Sequence, residues 1–230
     1  MAERDVAQNL ERSSDEHVFD AAQVFEKIRP SVAKVESMDY VLWFIPVWGI
    51  DGTGFVVGNN QNEHTCEIAT DNHLIKYGSP TVQLGDTTYD ATIEKVDLEN
   101  DLAVLQISDI KDPQNTCPIL PLADSLKPDE QLISVGASSG VPQYSSASFL
   151  DYFQRSEASE LPPRTGEDLS RIMIGATIDN EDPKGYSGGP LVNSFGQVVG
   201  INAIGGENIL GAELARYLSD DLEELHHKHK

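Results

Sequence analysis

A chain of 230 residues with 38 acidic and 16 basic side chains carries a formal charge of −22. That balance argues against nucleic acid and anionic membrane surfaces as partners, because both are gripped by lysine and arginine. The length suits one larger all-β domain with a single substantial core.

Residues 1–17 are polar and charged and read as a frayed lead-in. They contain no apolar run, so no signal peptide is visible, and nowhere does the chain reach the ~20 apolar residues that span a bilayer. A cytoplasmic protein is the expectation; the alternative is an exported one whose leader is absent from this chain. VFDAAQVFEKIR (18–29) places Val18, Phe19, Ala22, Val24, Phe25 and Ile28 on a partial apolar face, which predicts a short helix ended by Pro30. Strands follow: SVAKVES, VLWFI, TGFVVG, TCEIAT, TVQLG, ATIEKVD, LAVLQI, QLISVG, SASFLDYF, RIMIGATI, PLVNS and QVVGINAI. Most run for four to eight residues, rich in Val and Ile and bounded by Gly, Asp, Asn or Pro. Many short strands without intervening helices indicate a sandwich or a pair of barrels. ELARYLSDDLEEL (213–225) breaks the pattern with Leu214, Tyr217, Leu218, Leu222 and Leu225 at helical spacing, so an amphipathic helix closes the fold.

Three segments and the two cysteines need separate treatment. His226, His227, Lys228 and His229 lie in a basic tail, 226–230, read as solvated rather than as a metal site. Arg155–Asp168, RSEASELPPRTGED, is a loop-like insertion. Met38–Ile50 holds both tryptophans; it reads as a hairpin folded over the domain, or as an exposed apolar loop through which the chain forms a homo-oligomer or holds unfolded protein. Cys66 and Cys117 stand far apart with no CxxC spacing, which favours buried free thiols over a disulfide.

Lys184–Ile201, KGYSGGPLVNSFGQVVGI, sets Ser187 on a glycine-rich turn that leads into a pair of short strands. An ordinary hairpin entry would look the same. A nucleophilic serine differs in needing a base, and the base in needing an orienting acid. The chain has 6 histidines, and His64 and His73 are the two outside the lead-in and tail. His64 sits in a polar turn, NNQNEHT, whereas His73 follows a β-rich segment in IATDNHLI, where a strand end can present the ring. His73 is therefore the favoured base. Asp101, where the turn LEN becomes the buried strand DLAVLQI, is the favoured acid, since such a margin desolvates a carboxylate without isolating it.

Taken in order, GTGFVV, TDNHLI, NDLAVLQI and GYSGGPLVN resemble the trypsin-like serine endopeptidases, and more narrowly the HtrA/Deg protease domain. In that family a Gly-x-Gly-Phe strand precedes a T-N-x-H turn, with D-L-A-V-L and G-N-S-G-G-P-L following. The likeness runs from about Val24 to Leu218. It implies an all-β protease domain of two six-stranded antiparallel barrels over 18–225, with the amphipathic helix at the C-terminal end. It also implies His73 as general base, Asp101 as its orienting acid, Ser187 as nucleophile and the backbone N–H groups of Gly185 and Ser187 as the oxyanion hole. No metal or organic cofactor is implied.

Departures from the family pattern also carry information. Tyr186 replaces both the aspartate by which digestive relatives couple activation to a new N-terminus and the asparagine of the HtrA group, so that mode of zymogen activation is not expected. No segment after the domain matches the PDZ domain common in the family. The substrate pocket is assigned to 179–184 with Ala203 and Gly205, where GGENILG is short beside the family's loop. Glu181 stands where trypsin carries its pocket base and would favour Lys or Arg, whereas HtrA relatives prefer small aliphatic side chains. The function implied is hydrolysis of peptide bonds in proteins or peptides through an acyl-enzyme. The alternatives are a catalytically silent trypsin-fold scaffold and a chaperone-like stress protein.

Overall fold

The computed structural model describes residues 19–41, 45–123, 125–127, 130–157, 166, 168–179, 185–206 and 208–228. Helix α1 (Ala21–Ile28) opens the described chain, capped by Asp20, whose carboxylate accepts from the amides of Ala22 and Gln23 at 3.1 Å. Such a cap satisfies backbone donors that the first helical turn leaves free. A 3-10 turn through Pro30 then delivers the chain to β1.

Strands β1 (Val32–Val41), β2 (Ile45–Asn60), β3 (Thr65–Asp71), β4 (Ser79–Leu84), β5 (Thr87–Asp97) and β6 (Leu102–Ile107) close into one antiparallel barrel, in the order β1-β2-β3-β6-β5-β4. A four-residue helix, α2 (Pro113–Thr116), lies in the connection to the next barrel. Strands β7 (Gln131–Gly136), β8 (Gln143–Gln154), β9 (Ile172–Ile178), β10 (Pro190–Asn193), β11 (Val198–Gly206) and β12 (Ile209–Leu214) form the second, ordered β10-β11-β12-β9-β8-β7. Helix α3 (Ala215–Lys228) continues from β12, past Leu225, where the sequence pattern ends it.

Three apolar clusters hold these parts. Val35, Val56, Ile68, Leu105 and Ile107 fill the first barrel, and Leu132, Ile174, Leu191 and Val199 fill the second. The third joins the outer faces of both barrels to the two long helices: Phe25, Ile28, Phe55, Val104, Ile133, Val192, Ile201 and Leu218. β6 shows why its sequence, LAVLQI, is apolar at successive positions. Leu102 and Val104 face the other barrel while Ala103, Leu105 and Ile107 face inward, so both sides of the strand are buried.

The strand pattern of the sequence departs from the fold at two places. VLWFI is not a strand of its own: its first residue ends β1 and its last opens β2, the two paired as Val41↔Ile45. The hairpin reading of Met38–Ile50 thus describes the backbone; the side chains of 40–48, on which the docking reading depends, lie outside the described residues. The second departure is β12, ILGAEL, absent from the sequence reading because its glycine and helix-forming alanine weaken the strand signal. Pairing to β9 and β11 on either side overrides that weak preference.

The cysteines require a correction. Cys66 and Cys117 are not free thiols but a disulfide, with Cα atoms 6.3 Å apart. Cys66 on β3 and Cys117 at the end of α2 are both fully buried in the first barrel's core. Only barrel closure brings them together, and spacing along the chain carries no trace of that.

Candidate active site

β3 ends at Asp71, and the next residues form the 3-10 turn Asn72–Leu74 that carries His73. Asp101 receives this turn at three points. Its carbonyl accepts from the amide of Asn72 at 2.7 Å, its Oδ1 from the amide of His73 at 3.0 Å and its Oδ2 from His73 Nδ1 at 2.9 Å. A carboxylate can only accept, so the proton rests on Nδ1 and Nε2 is left as the acceptor that a general base needs. Asp101 is buried and its backbone is left-handed, φ 56°, a conformation that aspartate tolerates better than most residues. The preceding turn is closed by Asp97, which accepts from the amide and the side chain of Asn100 at 3.0 and 2.6 Å.

The Ser187 turn comes from the second barrel and is gripped by the first. Thr53 on β2 is fully buried and makes four hydrogen bonds there. Its amide donates to Ser187 O at 2.8 Å, its hydroxyl donates to Gly185 O and accepts from the Ala137 amide at 2.7 Å each, and its carbonyl accepts from Thr70 Oγ1 at 2.7 Å. Two glycines allow this approach. Gly185 has φ 82°, and a Cβ there would stand 1.8 Å from Ser138 Oγ; Gly188 has φ 77°, and a Cβ there would stand 2.2 Å from Thr53 O. Tyr186 anchors the turn from the other side. Its ring is buried in the second barrel over Gly136, and its hydroxyl lies 3.2 Å from Ser145 Oγ.

Ser187 and the His73 turn meet across Gly52, where a Cβ would come within 2.8 Å of Ser187 O and 2.6 Å of the Leu74 side chain. Ser187 is held through its carbonyl; its hydroxyl is not hydrogen-bonded to His73 in this structure. Ala203 is buried on β11 and Gly205 is exposed two residues on, just past Asn202, whose carbonyl accepts from the Gly188 amide at 2.7 Å. Glu181 and most of its loop, 180–184, lie outside the described residues. His64 has a structural occupation: its Nδ1 lies 3.1 Å from Ile110 O while its own carbonyl accepts from the Ile110 amide at 3.0 Å.

Three contributors escape the sequence reading. Thr53 stands inside the GTGF motif, but its role depends on Gly185, 132 positions away. Asp71 stands two residues before His73, with its Oδ2 3.5 Å from His73 Nδ1. Arg171 forms a buried pair with Glu213, Nε lying 2.9 Å from each carboxylate oxygen, and its Nη1 donates to Glu99 O at 3.0 Å. That last bond ties the second barrel to the turn that bears Asp101. Asp71, His73 and Asp101 also offer ligand atoms within 4.8 Å of one another. Since Nδ1 already donates to Asp101, the arrangement is that of an oriented imidazole.

Two six-stranded antiparallel barrels with a histidine–aspartate pair on one and a glycine-framed serine turn on the other define a trypsin-like peptidase domain. Residues 52–201 match the family model described as trypsin-like peptidase domain, and the chain belongs to that family. It is 32% identical over 189 residues to serine protease HTRA1B of Danio rerio, a match covering 80% of this chain and 36% of that protein. To serine protease HTRA3 of Homo sapiens it is 31% identical over 195 residues, covering 80% and 40%. The chain thus spans less than half the length of these relatives. In fold it is similar to the Rv3671c protease from M. tuberculosis in its active form, with a TM-score of 0.70, 23% identity and coverage of 90% of this chain and 87% of that one.

Proposed function

We propose that the chain is a serine endopeptidase domain that cleaves protein substrates through an acyl-enzyme. The observation that carries this reading is Asp101 holding both the backbone and the ring of His73, at 3.0 and 2.9 Å, beside a Ser187 turn locked by Thr53. Ser187 Oγ attacks the scissile carbonyl as His73 Nε2 takes its proton, and Asp101 stabilises the imidazolium that forms. The carbonyl oxygen becomes negative and is received by the N–H groups of Gly185 and Ser187. The amides of Gly188 and Gly189 are spent inside the fold, on Asn202 O and Tyr186 O. Fixed donors of this kind are worth about 3–4 kcal/mol in the transition state. His73 then returns its proton to the leaving amine, and water hydrolyses the acyl-enzyme by the same steps in reverse. Substrate binding is the event that brings Ser187 Oγ onto His73 Nε2, as is common for catalytic hydrogen bonds that are open without substrate.

The pocket reading favours small aliphatic side chains before the cut over the Lys or Arg that Glu181 would select. Location follows a different observation: the Cys66–Cys117 disulfide favours the exported alternative over a cytoplasmic protein, because reducing compartments keep such thiols free. A fluorophosphonate probe tests the central reading without knowledge of substrate. It is expected to modify Ser187 in the wild type and to leave Ser187→Ala unlabelled. A folded wild type that does not label at Ser187, and cleaves neither peptides nor casein, overturns it in favour of a silent scaffold.

A further inference from the structure

His73 is flanked by a second acid. Asp71, the last residue of β3, is fully buried, and its Oδ2 lies 3.5 Å from the same Nδ1 that Asp101 Oδ2 holds at 2.9 Å. Asp71 pairs with Leu102 in the β3–β6 ladder, so the two acids reach the imidazole from neighbouring strands of one barrel edge. Its backbone is packed against both neighbouring segments. Thr70 Oγ1 donates to Thr53 O beside it, and the Ser187 turn packs on its backbone, since a Cβ on Gly188 would stand 3.0 Å from the Asp71 amide.

The two carboxylates differ in what they do. Asp101 accepts two hydrogen bonds and sets the orientation of the ring. At 3.5 Å, Asp71 is beyond a good hydrogen bond and acts on the ring through its charge, in a place where burial leaves that charge poorly screened. Among the described residues, the titratable groups facing His73 are Asp71 from β3 and Asp101 from the β5–β6 turn. β2 and the Ser187 turn present Thr53 and Gly188, which are neutral.

We propose that Asp71 is a second positioning acid for His73, a buried carboxylate that supports the imidazolium formed when His73 takes the Ser187 proton. This rests on the peptidase reading above, but deepens it: the resting site carries two acids where the orienting role needs one. Opposite charge at this distance favours the imidazolium over the neutral ring at the moment His73 takes the Ser187 proton, so Asp71 supports the step that forms it. The T-N-x-H turn of the resembled family carries asparagine at this place, so Asp71→Asn is a substitution that this kind of turn accommodates.

The rate of Ser187 phosphonylation against pH, in wild type and Asp71→Asn, tests the proposal. Asp71→Asn is expected to label about tenfold more slowly at the plateau of the profile, and to lose kcat at an unchanged KM for a peptide substrate. Superimposable profiles overturn the proposal. Should Asp71→Asn not fold, Asp101→Asn is compared with His73→Ala: labelling at least tenfold above His73→Ala is expected, because Asp71 still supports the ring, and equal rates overturn it. A wild type that does not label sinks the peptidase reading instead. The Asp71 proposal is then decided by the NMR signal of the His73 Nδ1 proton, which must shift in Asp71→Asn and whose constancy overturns it.

Discussion

Thr53 shows how much positioning a single neutral side chain supplies. Its hydroxyl stands between Gly185 O and the Ala137 amide, at 2.7 Å from each, where water has no access. Thr53→Val keeps the shape and removes both bonds, stranding the buried Ala137 amide and the part-buried Gly185 carbonyl, with the amide costing about 1–3 kcal/mol and the carbonyl less. Because one of those groups belongs to the turn proposed to receive the oxyanion, the expected effect is a kcat lowered by roughly 10–100-fold at nearly constant KM. Thr53→Ser should restore most of it, and steady-state kinetics on the three proteins decides; a Thr53→Val enzyme with wild-type kcat shows that the turn holds itself. At this scale His73, Asp101 and Ser187 were legible because each stands in a short motif, and the motifs occur in a fixed order. Thr53 and Asp71 stand in the same motifs, yet their roles exist only once β2, β3 and the Ser187 turn have been folded together.

Elements were legible where one signal dominates and obscure where two compete. Helix α3 announces itself by its leucine spacing, but Glu213, read from sequence as its start, belongs to β12 and answers the buried charge of Arg171. The helix also crosses between the barrels. Its Asp221 lies 3.4 Å from Lys95 on β5, Glu224 lies 2.5 Å from the same ammonium, and His226 reaches Glu67 on β3 at 3.0 Å. Burial, and then the negative charge of Asp97, push the Asp221 carboxyl up from 3.8 to about 6, against the pull of Lys95. The folded chain therefore holds this proton at pH values where the unfolded chain releases it. Its contribution to stability is complete below 3.8 and is lost as the pH rises through about 6. Asp221→Asn should accordingly raise Tm at pH 7.5, with the gain shrinking as the pH falls through 6 and vanishing near 4. Thermal melts across that range check it. A Tm lowered at pH 7.5 would mean that the Lys95 pair outweighs the burial of the charge.

At the scale of the whole molecule, function depends on two barrels keeping their places while each stays internally rigid. The tie between them is spread over the shared apolar cluster, the Arg171 bond to the Asp101 turn and the Thr53 grip on the Ser187 turn. None of these is visible as sequence periodicity, because each joins residues whose neighbourhood is set by barrel closure. The disulfide is the same kind of feature, but it acts inside the first barrel alone, fastening the segment after α2 to β3 among Ile68, Leu105 and Ile107. By restricting the unfolded chain over a long loop, such a crosslink contributes about 2–4 kcal/mol. Removing it in Cys66→Ala/Cys117→Ala also leaves two small vacancies in a packed core, so the cost should fall in the upper part of that range. The Ser187 turn, Thr53 and the His73–Asp101 pair touch neither cysteine. The double variant should therefore label with fluorophosphonate at the wild-type rate at 25 °C, while its thermal midpoint drops by several degrees. Reducing the wild type should move its midpoint toward that of the variant, with thiol titration reporting how much of the crosslink has opened. An unchanged midpoint after complete reduction would show that the barrel core alone sets the stability, and a lost labelling rate in the folded variant that the crosslink reaches the active site.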